Sequence, residues 1–442
     1  MEQIDGYRKI LLKCFAVLVL TFLITPLTTI AAAVEPLNLD ACVQLALTQN
    51  HGLQGFRLDL AAKQLQAKGA EGLAGPKVDL VGNYQWQEDP TAIIPAHGTN
   101  IPPVYGDQQE QWGFNLKQTL YDAGKTKSLI RYNAENADWQ QVELKNQTMA
   151  VVNNVVKAFY HTLQLNDTIT AEQDSVKALS SLADDIRMKY TVGRVAGVDV
   201  LQVEAQLAAE QEKLARYQSD YDRQVALLKS YIGYEQSQPL TVKGAISDYK
   251  AAAPVTGDIK DNPEVEKSRI RQTQSQELLT SAKADNNAQI SLNGTYRVTA
   301  VPHSDASQDE MWTMGLQLSL PVFDGGVINA NIRQTKIQLD RAKESYAQSM
   351  ADAQAALAAA QANADAAKVR VESARVAWDR AKEAYRIMEL SYKTGKTSLT
   401  DALVAQSAAT NAEAVYYQAV YDEISARVDL KAVYGQTAYP AQ

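Results

Sequence analysis

Cysteine is almost missing: there are two in 442 residues. Cys14 sits in an apolar N-terminal run, directly after Lys13, where lipid attachment would need a small residue. Cys42 is then the only thiol beyond that run, so no internal disulfide can form, and a half-buried lone thiol is the expectation. Glycine and proline are sparse, at 22 and 13. Basic residues do not dominate: 43 Lys and Arg face 51 Asp and Glu, for a net charge of −8. That balance argues against nucleic acid as a partner, which calls for a basic patch. The four histidines are His51, His97, His161 and His303. No two have metal-ligand spacing, and one cysteine cannot complete a zinc set. No phosphate-binding glycine loop or nucleophile elbow is present. The chain therefore shows no catalytic, metal or cofactor site. Beyond the N-terminus no stretch approaches the ~20 apolar residues of a membrane-spanning helix.

The N-terminus has the layout of an export signal. Arg8, Lys9 and Lys13 precede an apolar run from Cys14 to Ile30, and Ala31, Ala32 and Ala33 offer small residues for cleavage. Residues 1–33 are read as a signal peptide. The length of the run and Pro26 within it keep an uncleaved anchor as the alternative.

The remaining chain is written twice. Tyr121-Asp122-Ala123-Gly124 recurs as Phe323-Asp324-Gly325-Gly326, and Tyr190-Thr191-Val192-Gly193 as Tyr392-Lys393-Thr394-Gly395. Asp199 recurs as Asp401 and Gly233 as Gly435, and all four pairs lie 202 residues apart. Asn50 matches Asn262 at an offset of 212, which places about ten extra residues in the loop 89–107 of the first copy. This divides the chain into a first repeat, 34–234, a linker, 235–261, and a second repeat, 262–442. Each repeat reads as helix, two strands, a very long helix and a return helix. The linker holds Pro239, Gly244, Pro254 and Gly257 and has no period.

Four segments alternate apolar and polar residues. They run over Val78 to Trp86, Trp112 to Leu120, Ile290 to Ala300 and Trp312 to Leu320, with Val81 and Gln118 as exceptions. Side chains on a strand alternate faces, so each strand has one apolar face. A soluble sandwich would bury that face; a membrane barrel would turn it to lipid. Two features favour the barrel. The runs have the ~9–11 residues of a tilted membrane strand. The aromatics Tyr84, Trp86, Trp112, Tyr121, Trp312 and Phe323 fall at or near strand ends, where interfacial girdles sit. Four strands cannot close a barrel, and an open edge cannot face lipid. If these are membrane strands, several chains share one barrel.

No glycine or proline interrupts 125–192 or 327–394. Each stretch supports a helix about 100 Å long at ~1.5 Å per residue. Val371, Ala374, Trp378, Ala381, Tyr385, Met388 and Tyr392 step by threes and fours. The same register in the first copy gives Ile169, Glu172, Val176, Leu179, Ala183, Ile186 and Tyr190, with Glu172 the one exception. That period belongs to helices packed with knobs in holes. Gly193 and Gly395 suit helix C-caps, and Asp199 and Asp401 suit the start of each return helix as capping carboxylates.

Taken in order, these pieces resemble the TolC family of outer-membrane efflux channels over essentially the whole length after the signal. The resemblance rests on the duplicated half, the junctions 120–124 and 322–326 with Asp122, Gly124, Asp324, Gly325 and Gly326, Asn262-Pro263-Glu264-Val265 opening a helix, and the turns 190–199 and 392–401. It implies an α+β membrane protein, a homotrimer in which each protomer gives four strands to a 12-stranded β-barrel. A long periplasmic α-helical coiled-coil barrel continues it. It implies an exit duct for a tripartite efflux or type I secretion system, set in outer-membrane lipids, with a periplasmic adaptor (a membrane fusion protein) and an inner-membrane pump of RND, ABC or MFS type as partners. Substrate passes without chemistry, so no cofactor is implied.

The resemblance also assigns residues. Asp199 matches a closing-link aspartate at the hairpin tips and Tyr392 its partner. The expected arginine of that link is Thr397, beside Lys396. Asp401 matches the first of two aperture aspartates, and the second falls on Val404. The adaptor is expected at Val192, Gly193, Arg194 and Val195 and at Thr394, Gly395, Lys396 and Thr397. Trp86, Trp112, Trp312 and Phe323 are the expected interfacial aromatics. The rival reading is a periplasmic coiled-coil adaptor or structural protein, which would not need four amphipathic strands or two full copies. The cargo cannot be read from the lumen residues.

Overall fold

The computed structural model describes residues 36–86, 108–249, 254–300 and 309–439. The signal segment, His97 and His303 lie outside the described residues. The first repeat contains α1 (Leu39–Gln49), α2 (His51–Glu71), β1 (Lys77–Trp86), β2 (Gln108–Tyr121), α3 (Lys125–Thr191) and α4 (Gly197–Ile232). The second contains α5 (Pro263–Ala284), β3 (Gln289–Ala300), β4 (Asp309–Ser319), α6 (Val327–Lys393) and α7 (Leu399–Val433). The first repeat thus opens with two helices where one was expected, because Asn50 ends α1 and caps α2. Both α3 and α6 have 67 residues, and each pairs with its return helix, α4 or α7.

The four strands form one antiparallel sheet in the order β1-β2-β3-β4. Its register aligns the apolar side chains of the separate runs. Leu80 lies opposite Phe114, Phe114 opposite Tyr296, and Tyr296 opposite Trp312. The next row is Val78, Leu116, Gly294 and Met314. The other face carries Asp79, Asn115, Thr295 and Thr313 in one row. β2 begins four residues before Trp112. A bulge between Thr119 and Tyr121 places Tyr121, not Leu120, opposite Ile290. A bulge adds one unpaired residue and restores the alternation beyond it, so the sequence alternation that ends on Leu120 is corrected there. The apolar face is bare: Leu80 is 68 % exposed, Leu316 70 % and Trp312 75 %.

The main apolar core lies midway along the molecule. It joins Cys42, Val43 and Ala46 of α1, Val152 to Leu163 of α3, Leu228 and Ile232 of α4, and Val420, Ile424 and Val428 of α7. Residues 240–246 of the linker, which has no sequence period, pack onto this core. Leu37 bridges in parallel to Val242, Leu240 and Ile246 are buried, and Ile246 N donates to Asp167 Oδ2 at 2.8 Å. A second core at the hairpin ends joins Leu179, Ala183 and Ile186 of α3 with Val203, Leu399 and Leu403. Much of α3 is buried, whereas α6 buries only Leu339, Ala353, Ala367 and Ala374.

Short helices continue the return helices end to end. Asn50 Oδ1 accepts from Leu53 N at 2.9 Å, capping α2, and its Nδ2 donates to Tyr231 O in the last turn of α4 at 2.9 Å. Asn262 repeats the device. Its Oδ1 accepts from Glu264 N at 2.9 Å, and its Nδ2 donates to Val433 O at 2.9 Å. One amide satisfies orphan groups of two helices at once. Gly233 and Gly435 end the lower helices at φ 69° and 67°. A Cβ on Gly435 would lie 2.2 Å from Asp261 O.

Asn262→Ala is expected to lower stability by about 1–2 kcal/mol, the upper end of the cost of a lost N-cap. Asn262→Asp should recover the cap but not the bond to Val433 O. Gly435→Ala should cost more than either, since both φ and close backbone contact oppose it. Urea midpoints of the detergent-purified protein test this ranking.

Candidate functional site

Two regions have the geometry of a channel: the sheet with its bare face, and the hairpin tips. At the strand-to-helix junctions Asp122 accepts from Gly124 N at 3.1 Å and Thr126 N at 2.7 Å. Asp324 likewise accepts from the N–H groups of Gly326 and Ile328. Gly124 and Gly326, at φ 88° and 91°, turn the chain from strand into helix. Gly325 has φ 70°, but its counterpart Ala123 holds φ 52° with a Cβ. Burial pushes the Asp122 carboxyl up, but hydrogen bonds from Thr126, Gly124 and Lys125 hold it below the ordinary 3.8. Each carboxylate thereby anchors the first turn of a 67-residue helix to the end of a strand.

At the tips, Gly193 and Gly395 adopt φ 72° and 73°. Arg194 N reaches back to Lys189 O at 2.9 Å, and Lys396 N to Ser391 O at 2.8 Å. These are the back-bonds of a helix closed by a left-handed residue. Val192 is exposed, and Val195 packs on the tip core. Asp199 and Asp401 both act at helix starts. Asp199 accepts from Ala196 N at 3.3 Å. Asp401 accepts from Ser398 Oγ at 2.7 Å, Thr397 Oγ1 at 2.9 Å and Ser398 N at 3.4 Å. The Ser398 hydroxyl, then the Thr397 hydroxyl and the Ser398 amide, hold the exposed Asp401 carboxyl below the ordinary 3.8.

The structure does not assemble the tip residues as one linked set. Tyr392 packs against the tip core with Lys189 Nζ 5.9 Å from its ring centroid. Burial raises its hydroxyl pKa, Lys189 opposes this, and Asp185 and Asp199 add to it. No hydrogen bond joins Tyr392 to Asp199 among the described residues. Thr397, at the arginine position, turns to Asp401 of its own hairpin. Val404 is exposed beside them on α7.

The hairpins are instead joined by residues that carry no sequence motif. Thr400 Oγ1 donates to Gln202 Oε1 at 3.1 Å, Gln406 Nε2 to Ser175 Oγ at 3.4 Å, and Lys213 Nζ to Asn411 Oδ1 at 3.2 Å. These pairs are separated by about half the chain, and no local pattern marks them.

Of the groups that look reactive, Cys42 is enclosed, His161 half-buried and His51 exposed. Cys42 is wholly buried, not half-buried, and burial pushes its thiol up to about 12. His161 stacks on Tyr421 at 4.7 Å, and burial lowers its pKa. Among the described residues no cluster of His, Cys, Asp or Glu could hold a metal ion. No described helix is long and apolar enough to cross a membrane.

The family described as outer membrane efflux protein matches residues 42–234 and 259–436. The outer membrane protein TolC of Escherichia coli is 22% identical over 417 residues, covering 90% of this chain and 82% of that protein. The toluene efflux pump outer membrane protein TtgC of Pseudomonas putida is 21% identical over 326 residues, covering 71% and 66%. Among solved structures, the Campylobacter jejuni CmeC outer membrane channel superposes with a TM-score of 0.77 at 20% identity, covering 90% of this chain and 85% of that one. The outer membrane protein VceC of Vibrio cholerae gives 0.76 at 16% identity, covering 91% and 97%. With its duplicated α+β fold, its bare sheet and its paired long hairpins, the chain belongs to the outer membrane efflux protein family: it is a channel of the outer membrane reaching into the periplasm, not an enzyme.

Proposed function

We infer that three copies of this chain close one barrel of twelve strands and continue it as a helical tunnel. Substrates would leave an inner-membrane pump of RND, ABC or MFS type, enter through a periplasmic adaptor, and pass unchanged to the exterior. In this reading residues 1–33 direct export, 34–234 and 262–442 are the two halves of each wall, and 235–261 is an equatorial strap.

The observation that carries the reading is the continuous apolar face left uncovered between two open strand edges. In water that face would be an aggregation surface; in hydrocarbon it is at rest. The edges β1 and β4 run in opposite directions within the sheet, so β4 of one copy can pair antiparallel with β1 of the next. That pairing satisfies the N–H and C=O groups lipid would leave bare. Trp86, Trp112 and Trp312 lie toward one end of the sheet and Tyr121 toward the other, with Phe323 just beyond β4. This is the layout of two interfacial girdles. On the helical side, exposed Leu58 and Leu65 of α2 and Ile337, Val369 and Val376 of α6 offer flanks for neighbouring copies.

We assign the tips to gating and adaptor docking. The docking residues are Val192, Gly193, Arg194 and Val195 on one turn and Thr394, Gly395, Lys396 and Thr397 on the other. The aperture would be set by Asp401 and Val404, so each copy presents one carboxylate there. Asp199 and Tyr392 pack behind it.

Leu316→Arg, on the apolar face, should cost about 2–4 kcal/mol and deplete the protein from the outer membrane. Thr313→Arg, on the opposite face of the same strand, should leave assembly intact. Equal loss for both, measured as SDS-resistant trimer in outer-membrane fractions, would remove the basis for a lipid-facing sheet. For the aperture, Asp401→Asn should shift the reversal potential in a salt gradient toward anions. Because its pKa is lowered, the wild-type carboxylate keeps its charge as pH falls through 3.8, and cation preference should persist there. Unchanged selectivity in the variant would move Asp401 away from the constriction.

A further inference from the structure

Between the equatorial core and the tip core the packing of α3 changes character. Going down the helix, Leu163 ends one apolar cluster and Leu179 begins the other. In between, the buried residues include Gln164, Thr168, Glu172 and Ser175. Glu210 of α4 and Gln406 and Thr410 of α7 are buried as well. Glu172, the one heptad exception in the sequence, is 1 % exposed, and Glu210 is 0 % exposed.

The enclosed Oε2 atoms of both Glu172 and Glu210 lack a hydrogen-bond partner among the described residues, and Glu210 is the neighbour whose carboxyl acts on that of Glu172. A carboxylate only accepts hydrogen bonds, so two of them cannot bond without a proton between them. Glu210 is held by Lys213 at 3.1 Å and by Gln206 Nε2 at 2.9 Å, whereas no donor reaches Glu172 Oε2, which marks Glu172 as the carboxyl that keeps the proton. Lys213 also reaches Asn411 Oδ1 of α7 at 3.2 Å. The pair thus sits where α3, α4 and α7 meet.

The second repeat carries no acids at the matching positions. The positions 202 residues on from Glu172 and Glu210 are Ala374 and Ala412, and that of Lys213 is Val415. The coiled coil does not require carboxyl groups there, and burying them costs stability.

We propose that Glu172 and Glu210 form a proton-controlled clasp on the first hairpin: one shared proton ties α3 to α4, Lys213 ties α4 to α7, and loss of that proton loosens the hairpins above the tip. With the proton gone, two negative charges share a dry seam. Lys213 is drawn to them and away from Asn411, and the link between hairpins opens. This rests on the reading of the tips as the gate.

The groups acting on Glu172 are few. Burial, then the carboxyl of Glu210, push it up from the ordinary 4.5 to about 7, while Lys213 and Arg216 lower it. From α7 the residues meeting this stretch are Gln406, bonded to Ser175, and Asn411, bonded to Lys213, both uncharged. Glu413 of α7 accepts from Tyr417 at 2.8 Å and acts on Asp167, more than a turn above Glu172 on α3. A carboxyl whose folded pKa is raised supports the fold fully below its unfolded pKa, here 4.5, and this support is lost as pH rises through about 7. The clasp is closed in acid and released toward neutral and alkaline pH.

The test uses the full-length protein purified in detergent. Infrared difference spectra from about pH 5 to about pH 8 should show one protonated-carboxyl stretch that disappears near neutrality. That band should be missing from Glu172→Gln and from the double variant Glu172→Ala/Glu210→Ala, which copies the second repeat and should fold. In planar bilayers wild-type conductance should rise over the same range, and both variants should give a flat profile. A band that survives Glu172→Gln, or a variant with the wild-type conductance profile, overturns the clasp. A carboxyl band that titrates as expected in a protein with no conductance at any pH would instead overturn the channel reading and leave the protonated pair standing.

Discussion

The open edges of the sheet govern this protein. β1 and β4 each present a row of unpaired backbone groups, and between them lies an apolar face with nothing packed on it. Hydrocarbon accepts the face but not the edges, so further strands must be supplied by other copies. The rest of the architecture is compatible with that demand. The flank helices α2 and α6 keep apolar side chains exposed, while α3 is buried within the protomer. The single chain is a segment of a wall, with its own core at mid-height and unfinished sides.

A long wall segment needs straight, continuous helices, and the fold achieves them in two ways. The helices α3 and α6 run unbroken for 67 residues, free of glycine and proline. The remaining positions are filled by pairs of shorter helices joined end to end through Asn50 and Asn262. Residues 235–249 add Leu240 and Ile246 to the core. Stability is therefore concentrated at mid-height. Below it the seam of the first hairpin turns polar before the apolar tip, and the second hairpin has alanine at the matching acid positions. Two halves of common design thus differ in the polarity of this seam.

Much of this is legible in the residue order. The 202-residue offset reappears as the spacing of α3 from α6 and of α4 from α7. The alternating runs became the four strands, and Gly193 and Gly395 became left-handed caps, because strand alternation and helix termination are local properties. Other features were not legible. The bulge at Leu120 depends on pairing with β3. The bond from Asn50 to Tyr231, which joins α2 to α4, links residues nearly the length of a repeat apart. Position matches Asp199 and Tyr392 to a closing link, but which partners their side chains take within the chain, Ala196 N for Asp199 and the tip core for Tyr392, depends on the packing of the two hairpins.

The sequence alone determined the period of the four strands and the two long helices and the duplication, since backbone geometry reads residue order directly. Only the tertiary structure decided what surrounds Glu172. As a lone polar residue in a heptad stripe it looked like an irregularity. Its meaning depends on Glu210 facing it across the seam and on Lys213 tying that seam to Asn411 of the other hairpin. Contacts between residues far apart in the chain leave no periodic trace, because nothing in their neighbours' spacing records which helix will lie alongside.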